Sequence, residues 1–256
     1  MRVEKLRGAK IENPKSKIQN LKRRLVDGLR VVTGEGILTG SGHLSARIPG
    51  TETFLINPRF PAVLADTKDI CTVTFDGKRI AGKGPIPSET PIHSTIYRSR
   101  PDVGSVLHCH ARDSILLGLQ DVGLVPFNRE ARLFADGVHI FPNSHGINND
   151  ALAQRMVETL ADHYAIFLRG HGCVVVGPGI EGTCISAIQF ERACQDQLFL
   201  MSFTTPKPMT DASRGRVNAR LENPYRAWPY LLYKHKVRSR RQIRAAIKTL
   251  KEGEHY

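Results

Sequence analysis

The sequence predicts an α/β domain whose sheet starts out antiparallel, and three observations carry that expectation. At 256 residues the chain suits one compact domain with an ordinary core and room for a small appendage at either end. Short β-rich runs separated by turn pairs occupy residues 44–80, the pattern of neighbouring strands joined by tight turns. From residue 91 onward, strand-like runs alternate with stretches of helical periodicity.

The elements follow in order. Ile18, Leu21, Leu25, Leu29 and Val32 recur at steps of three and four between Ser16 and Thr33, with Gly34 just beyond. That spacing gives an amphipathic helix with a glycine stop. Leu44 to Ile48, Thr53 to Ile56 and Cys71 to Phe75 read as strands; Pro49-Gly50 marks a turn, and Asp76-Gly77 begins a hairpin returning through Lys78 to Ile80. Pro91 to Ser99 is helical in pattern, and Val103 to His108 reads as a buried strand. A helix near Asp113 to Leu119, a short strand at His139 to Phe141 and a helix from Asn149 to Asp162 continue the alternation. Tyr164 to Arg169 and Cys173 to Val176 form the last strand pair, and Gly182 to Phe203 a long helix. After Thr204 the chain turns Pro- and Arg-rich, then offers Tyr225, Trp228, Tyr230 and Tyr233 and a basic helix from Ser239 to Lys251. This divides the chain into a domain over 15–204 and an extension over 205–256 that serves packing or subunit contact.

Composition narrows the function classes. No run approaches the roughly 18–20 apolar residues of a membrane helix, and the charged stretch Met1 to Lys10 has no apolar segment behind it, so a soluble, cytoplasmic protein is expected. Cys71, Cys109, Cys173, Cys184 and Cys194 form an odd set without a CxxC pair, which suggests neither a disulfide framework nor a cysteine zinc site. The net charge of +13 sits largely at Lys5 to Arg24 and Lys234 to Lys251, without RNA-binding aromatic signatures, which argues against nucleic acid as the partner.

His108 and His110 are one residue apart at the end of an apolar strand. The two-residue side-chain period puts both imidazoles on one face while Cys109 points away. His171 stands between Gly170 and Gly172 at a strand-to-strand turn, where glycines let the backbone bend close around an ion. Three neutral histidines with an open position favour zinc, with manganese, iron or cobalt as alternatives, one ion per chain. Taken alone, an HxH pair also fits a strand end carrying two exposed histidines with no chemical role.

A wider pattern surrounds these histidines: Ser41-Gly42-His43-Leu44-Ser45, then Pro87-Ser88-Glu89, then YRSRPD at Tyr97 to Asp102 leading to Val106-Leu107-His108-Cys109-His110, then Leu168-Arg169-Gly170-His171-Gly172. In order and spacing the chain resembles the class II aldolase/adducin family over roughly Ile18 to Phe203. The resemblance implies a three-layer α/β/α fold with a central, mostly antiparallel sheet flanked by helices. It also implies a divalent ion on His108, His110 and His171 with Glu89 near or on the metal, and homotetramers with active sites at subunit interfaces.

Within that resemblance Glu89 is the catalytic carboxylate that carries a proton. By itself, Glu89 also suits a helix N-terminus just after the capping candidate Ser88. His93, four residues on, either holds Glu89, contacts an adjacent subunit or simply packs. The substrate-binding candidates are His43, Ser45, Asn57, Arg59, Ser88 and Arg129. His43 and Ser45 stand where the sugar-phosphate aldolases present asparagine and serine to a phosphate, and Asn57-Pro58-Arg59 replaces their Thr/Ser-Gly pattern. Pro87-Ser88 replaces a serine pair, with loss of a hydroxyl and an N–H donor. Arg59 and Arg129 offer forks suited to a carboxylate, and each also fits an ordinary surface arginine. Phe127-Asn128-Arg129-Glu130 lacks the tyrosine that the aldolases use as proton donor.

These departures point to a metal-dependent carbon–carbon lyase acting on a small acidic molecule. Decarboxylation of a hydroxylated aromatic or keto acid is favoured, a branch that the Arg226 to Trp228 segment also resembles. The alternatives are an aldolase for a hydroxy-carbonyl or sugar-phosphate substrate, a sugar-phosphate dehydratase or epimerase, and a non-catalytic adducin-like assembly module.

Overall fold

An opening helix, α1 (Pro14–Gly34), buries Leu25, Leu29 and Val32 fully, each contributing about 1.5–3 kcal/mol of apolar transfer. The computed structural model describes residues 14–209 and 227–244. The helix runs through Gly34 instead of stopping before it. Its stop is Gly36, at φ +78°, where Gly36 N–H donates to Thr33 C=O and Ile37 N–H to Val32 C=O. This paired closure needs a left-handed residue two positions later than the predicted glycine.

The strands are β1 (His43–Arg47), β2 (Thr53–Ile56), β3 (Cys71–Thr74), β4 (Arg79–Ala81), β5 (Ser105–Cys109), β6 (His139–Phe141), β7 (Ala165–Leu168) and β8 (Gly172–Gly177). They form one sheet in the order β4-β3-β2-β1-β5-β8-β7-β6, antiparallel throughout except where β6 runs parallel to β7. The predicted antiparallel start of the sheet is present from β1 to β4. The fold is α/β, a mostly antiparallel sheet flanked by helices, as expected.

Between the strands lie α2 (Thr90–Ser99), α3 (Arg112–Gly118) and α4 (Asp150–Leu160), and α5 (Ile180–Met201) follows the last one. Helices α2 and α4 cover one face, over a core that includes Ile92, Ile96, Val106, Met156 and Val174. The other face lies under α1, α3 and α5, over Leu29, Leu107, Leu117, Val175 and Phe190. Because side chains alternate along β5, Val106 and His108 share the α2/α4 face while Leu107 and Cys109 enter the opposite core.

The aromatic tail contributes a further helix, α6 (Ala227–Lys234), which buries Trp228, Leu231 and Leu232 and leaves Tyr230 and Tyr233 exposed. It is clamped by Glu35, whose carboxylate takes Lys234 and His235 at 2.6 Å and Arg192 at 2.8 Å. Of the basic helix expected at Ser239 to Lys251, residues 240–244 are helical and the remainder lies outside the described residues, as do Tyr225 and Arg226.

Candidate metal centre

Three loops and one strand end converge on a small pocket of imidazoles. His108, one residue before the end of β5, is fully buried, and its Nδ1–H donates to the Cys173 carbonyl on β8 at 3.0 Å. A carbonyl only accepts, so that proton is fixed on Nδ1 and Nε2 is left bare. His110 follows the strand end, with its Nδ1 2.9 Å from the Ser41 hydroxyl. His171 sits in the β7–β8 turn, where Gly170 adopts φ +67° and a Cβ on Gly172 would lie 2.2 Å from the Cys109 carbonyl oxygen. Only glycine lets β8 approach β5 this closely.

The three Nε2 atoms face one another: His110 Nε2 is 3.1 Å from those of both His108 and His171. Glu89 completes the group, with Oε2 3.2 Å from His108 Nε2 and Oε1 3.6 Å from His171 Nε2. Its Oε1 also accepts the Ile147 N–H at 2.8 Å. One ligand atom from each of Glu89, His108, His110 and His171 lies within 4.8 Å of every other, so the four could hold a metal ion.

The donor chemistry fits one. A bare Nε2 of His108 faces a carboxylate oxygen and another imidazole nitrogen, an arrangement of lone pairs that a shared cation stabilises. Spacings near 3.1 Å suit nitrogens sharing an ion at about 2.0–2.1 Å. Burial, with repulsion from His108 and His171, lowers the His110 pKa to about 4, which keeps that ring neutral as a metal ligand must be. Burial opposes ionisation of Glu89, yet a proton on the Nε2 of His108 or His43, when no cation takes its place, holds the carboxyl well below the usual range together with the Ile147 N–H.

Behind the cluster stands a second group of imidazoles joined by short hydrogen bonds. His43, at the start of β1, places Nδ1 2.6 Å from His93 Nε2 on α2. His93 Nδ1 is 2.6 Å from Ser45 Oγ, which is 2.7 Å from the Tyr97 hydroxyl. All four are buried, and the other edge of His43, Nε2, faces Glu89 Oε2 at 3.9 Å.

A model of the Class II Aldolase and Adducin N-terminal domain matches residues 23–198. The chain belongs to the class II aldolase and adducin family. It is 30% identical over 177 residues to a 3,4-dihydroxyphthalate decarboxylase of Arthrobacter keyseri, covering 63% of this chain and 71% of that one. The crystal structure of an aldolase II superfamily protein from Pseudomonas syringae superposes with a TM-score of 0.75 at 24% identity, over 86% of this chain and 93% of that one. An L-fuculose 1-phosphate aldolase from Glaciozyma antarctica PI12 gives 0.73 at 23% identity, over 89% and 96%.

Against the expectations drawn from the family, the structure brings Glu89, His108, His110 and His171 together and distributes the substrate-binding candidates differently. Ser45 is fully buried between His93 and Tyr97 and so is an internal link, not an open hydroxyl. Asn57 is also buried, its Oδ1 accepting the Leu44 N–H and its Nδ2 donating to the Pro58 carbonyl, so its amide braces β1. Arg59, Ser88 and Arg129 are exposed and take no part in the cluster's hydrogen bonds among the described residues. The segment carrying Arg129 is pinned to α5 of its own chain through Asn128 to Asp196 and Val125 to Gln197.

One local reading is corrected, and the open choice for His93 falls to a packed, internally bonded ring. Ser88 does not cap α2; Glu89 occupies the N-cap position without a capping bond, because its carboxylate is turned to Ile147 and the histidines. His93 bonds His43 and Ser45, so it reaches Glu89 only through His43. The supporting partners Ser41, Cys173 C=O and Ile147 N–H were not singled out in the sequence. Ser41 stands in the motif that revealed His43, but nothing local ties it to His110, 69 residues away.

Proposed function

We propose that the chain is a divalent-metal-dependent carbon–carbon lyase that decarboxylates a small hydroxylated aromatic or keto acid. The observation that carries this reading is the convergence of Glu89 with the Nε2 atoms of His108, His110 and His171. His108, His110 and His171 would hold the ion, zinc by the nature of its ligands, or manganese, iron or cobalt, with Glu89 beside it. A divalent ion bound there supplies Lewis acidity to neighbouring hydroxyl and carboxylate oxygens of a chelating acid.

The remaining work falls to the chain itself. Cys173 C=O and Ser41 hold the rings of His108 and His110 in orientation. Glu89, kept ionised, is placed to take or return a proton at Oε2. In decarboxylation the bond to the carboxyl carbon breaks and carbon dioxide leaves. The bonding pair stays on the adjacent carbon, which then takes up a proton. Arg59 and Arg129 are assigned to the substrate carboxylate and Ser88 to a polar substrate oxygen, with Arg129 acting from a neighbouring subunit of a homo-oligomer, a tetramer in this proposal. Such an assembly accounts for an arginine that lies apart from its own chain's cluster.

The name of the Arthrobacter relative supports the acid substrate, and so does the absence of tyrosine from the Pro126 to Arg132 stretch. The proposal takes residues 15–204 as the catalytic unit and 205–256 as the packing or contact extension, in a cytoplasmic protein. No described helix is long and apolar enough to cross a membrane. The test is an assay of the full chain loaded with each metal on 3,4-dihydroxyphthalate and on L-fuculose 1-phosphate. Carbon dioxide release from the first is expected; cleavage of the sugar phosphate alone overturns the acid reading. Metal analysis should find about one ion per chain, and a metal-free native protein would favour an assembly module.

A further inference from the structure

The chain of bonds behind Glu89 has a direction, set at its far end. The Tyr97 hydroxyl is buried under Arg47, whose guanidinium carbon lies 4.9 Å from the ring centroid. Arg47 is a cation and the Val106 amide a donor, so neither can accept the phenolic proton. Among the described residues the one acceptor in hydrogen-bond reach is Ser45 Oγ, at 2.7 Å. Ser45 Oγ, having accepted from Tyr97, has one proton to give, and its other partner is His93 Nδ1 at 2.6 Å. His93 Nδ1 is therefore bare and Nε2 protonated, which makes His43 Nδ1 the acceptor at 2.6 Å. His43 is left with its proton on Nε2, the edge turned toward Glu89 Oε2. Each buried ring therefore has one nitrogen that accepts and one that carries the proton.

We propose that Tyr97, Ser45 and His93 are positioning residues that lock His43 in its Nε2–H tautomer, presenting an N–H donor beside Glu89 to an anionic oxygen of the substrate. The 3.9 Å between His43 Nε2 and Glu89 Oε2 exceeds hydrogen-bond length, so the donor is not consumed by the carboxylate. His43 is then neither a base nor a metal ligand. The reversed chain, with every proton moved one atom along, would leave the Tyr97 hydroxyl proton without an acceptor in a buried site, which is the costlier arrangement. The assignment of His43 to substrate binding rests on the lyase reading; the tautomer does not.

The test separates the two. Full-length protein with ring-15N histidine, loaded with zinc and sedimented, is read by solid-state NMR, with His43 and His93 assigned from the signals lost in His43→Gln and His93→Gln. Both rings are expected to be protonated at Nε2 and bare at Nδ1; an Nδ1–H or a doubly protonated ring at neutral pH overturns the proposal. Ser45→Ala should spread both rings over two tautomers, and unchanged tautomers in that variant overturn the lock. On 3,4-dihydroxyphthalate, His43→Leu should lower kcat/KM about 10²–10³-fold, with partial recovery in His43→Gln, whose amide keeps an N–H. An active protein that loses nothing in His43→Leu removes the donor role. An inactive wild type defeats the lyase reading while the NMR result still decides the tautomer.

Discussion

Two groups of histidines meet at Glu89, and they are built on opposite principles. In the cluster of His108, His110 and His171, the Nε2 atoms face one another and a carboxylate, with the His108 proton held on the far side of its ring. In the wall formed by His43, His93, Ser45 and Tyr97, every neighbouring pair of atoms shares a proton. The first group gathers lone pairs that could hold a cation; the second is satisfied by its own internal hydrogen bonds. The same side chain serves both purposes because a second partner, a carbonyl in one case and a hydroxyl in the other, decides which nitrogen is bare.

The contrast breaks most visibly at its metal side. His108→Ala should abolish stoichiometric metal binding, measured by metal analysis of the purified variant, while His93→Gln should retain the ion. If both lose the metal equally, the two groups are not distinct. The wall has its own pH signature. With its folded pKa near 4, His43 stays neutral where the unfolded residue, near 6.5, takes a proton. Stability should therefore fall as pH drops from about 6.5 towards 4 and level off below. The contribution is on the order of 3 kcal/mol, and it disappears in His43→Gln; urea unfolding at stepped pH reads the slope.

Smaller changes sharpen the comparison. Ser41→Ala removes the partner of His110 Nδ1 and should weaken metal affinity about 10–100-fold in a chelator competition, with the wall unaffected. Tyr97→Phe removes one hydrogen bond from the wall. It should cost about 1 kcal/mol in denaturant unfolding with the metal content unchanged, and loss of the ion in this variant would mean the groups are coupled.

Much of this was legible before the structure. The spacing of Leu25, Leu29 and Val32 specifies α1, and the boundaries of Thr53–Ile56 and His139–Phe141 match their strands residue for residue. The HxH period places both imidazoles together because a strand repeats every two residues. The roles of Ser45 and Asn57 were not legible. Each looked like a polar group offered to a ligand, and each is bonded inside the fold by atoms 13 to 52 residues away. Helix α6 was not delimited either, because its packing against α1 and α5, and not a strong local period, holds Trp228 and Leu232 in place.

Local sequence sets the strands and the helices up to α5, the glycines that let His171 turn inward, and the set of residues able to bind an ion. These follow from local periodicity and from side-chain chemistry, which travel with the chain in any conformation. The arrangement of the protons comes from packing: the Cys173 carbonyl against His108, Ile147 N–H against Glu89, and Tyr97 at the end of the line leading to His43. Hydrogen bonds between residues 48 to 65 apart have no sequence signature, since their geometry exists only once β1, β5, β8 and α2 have packed together.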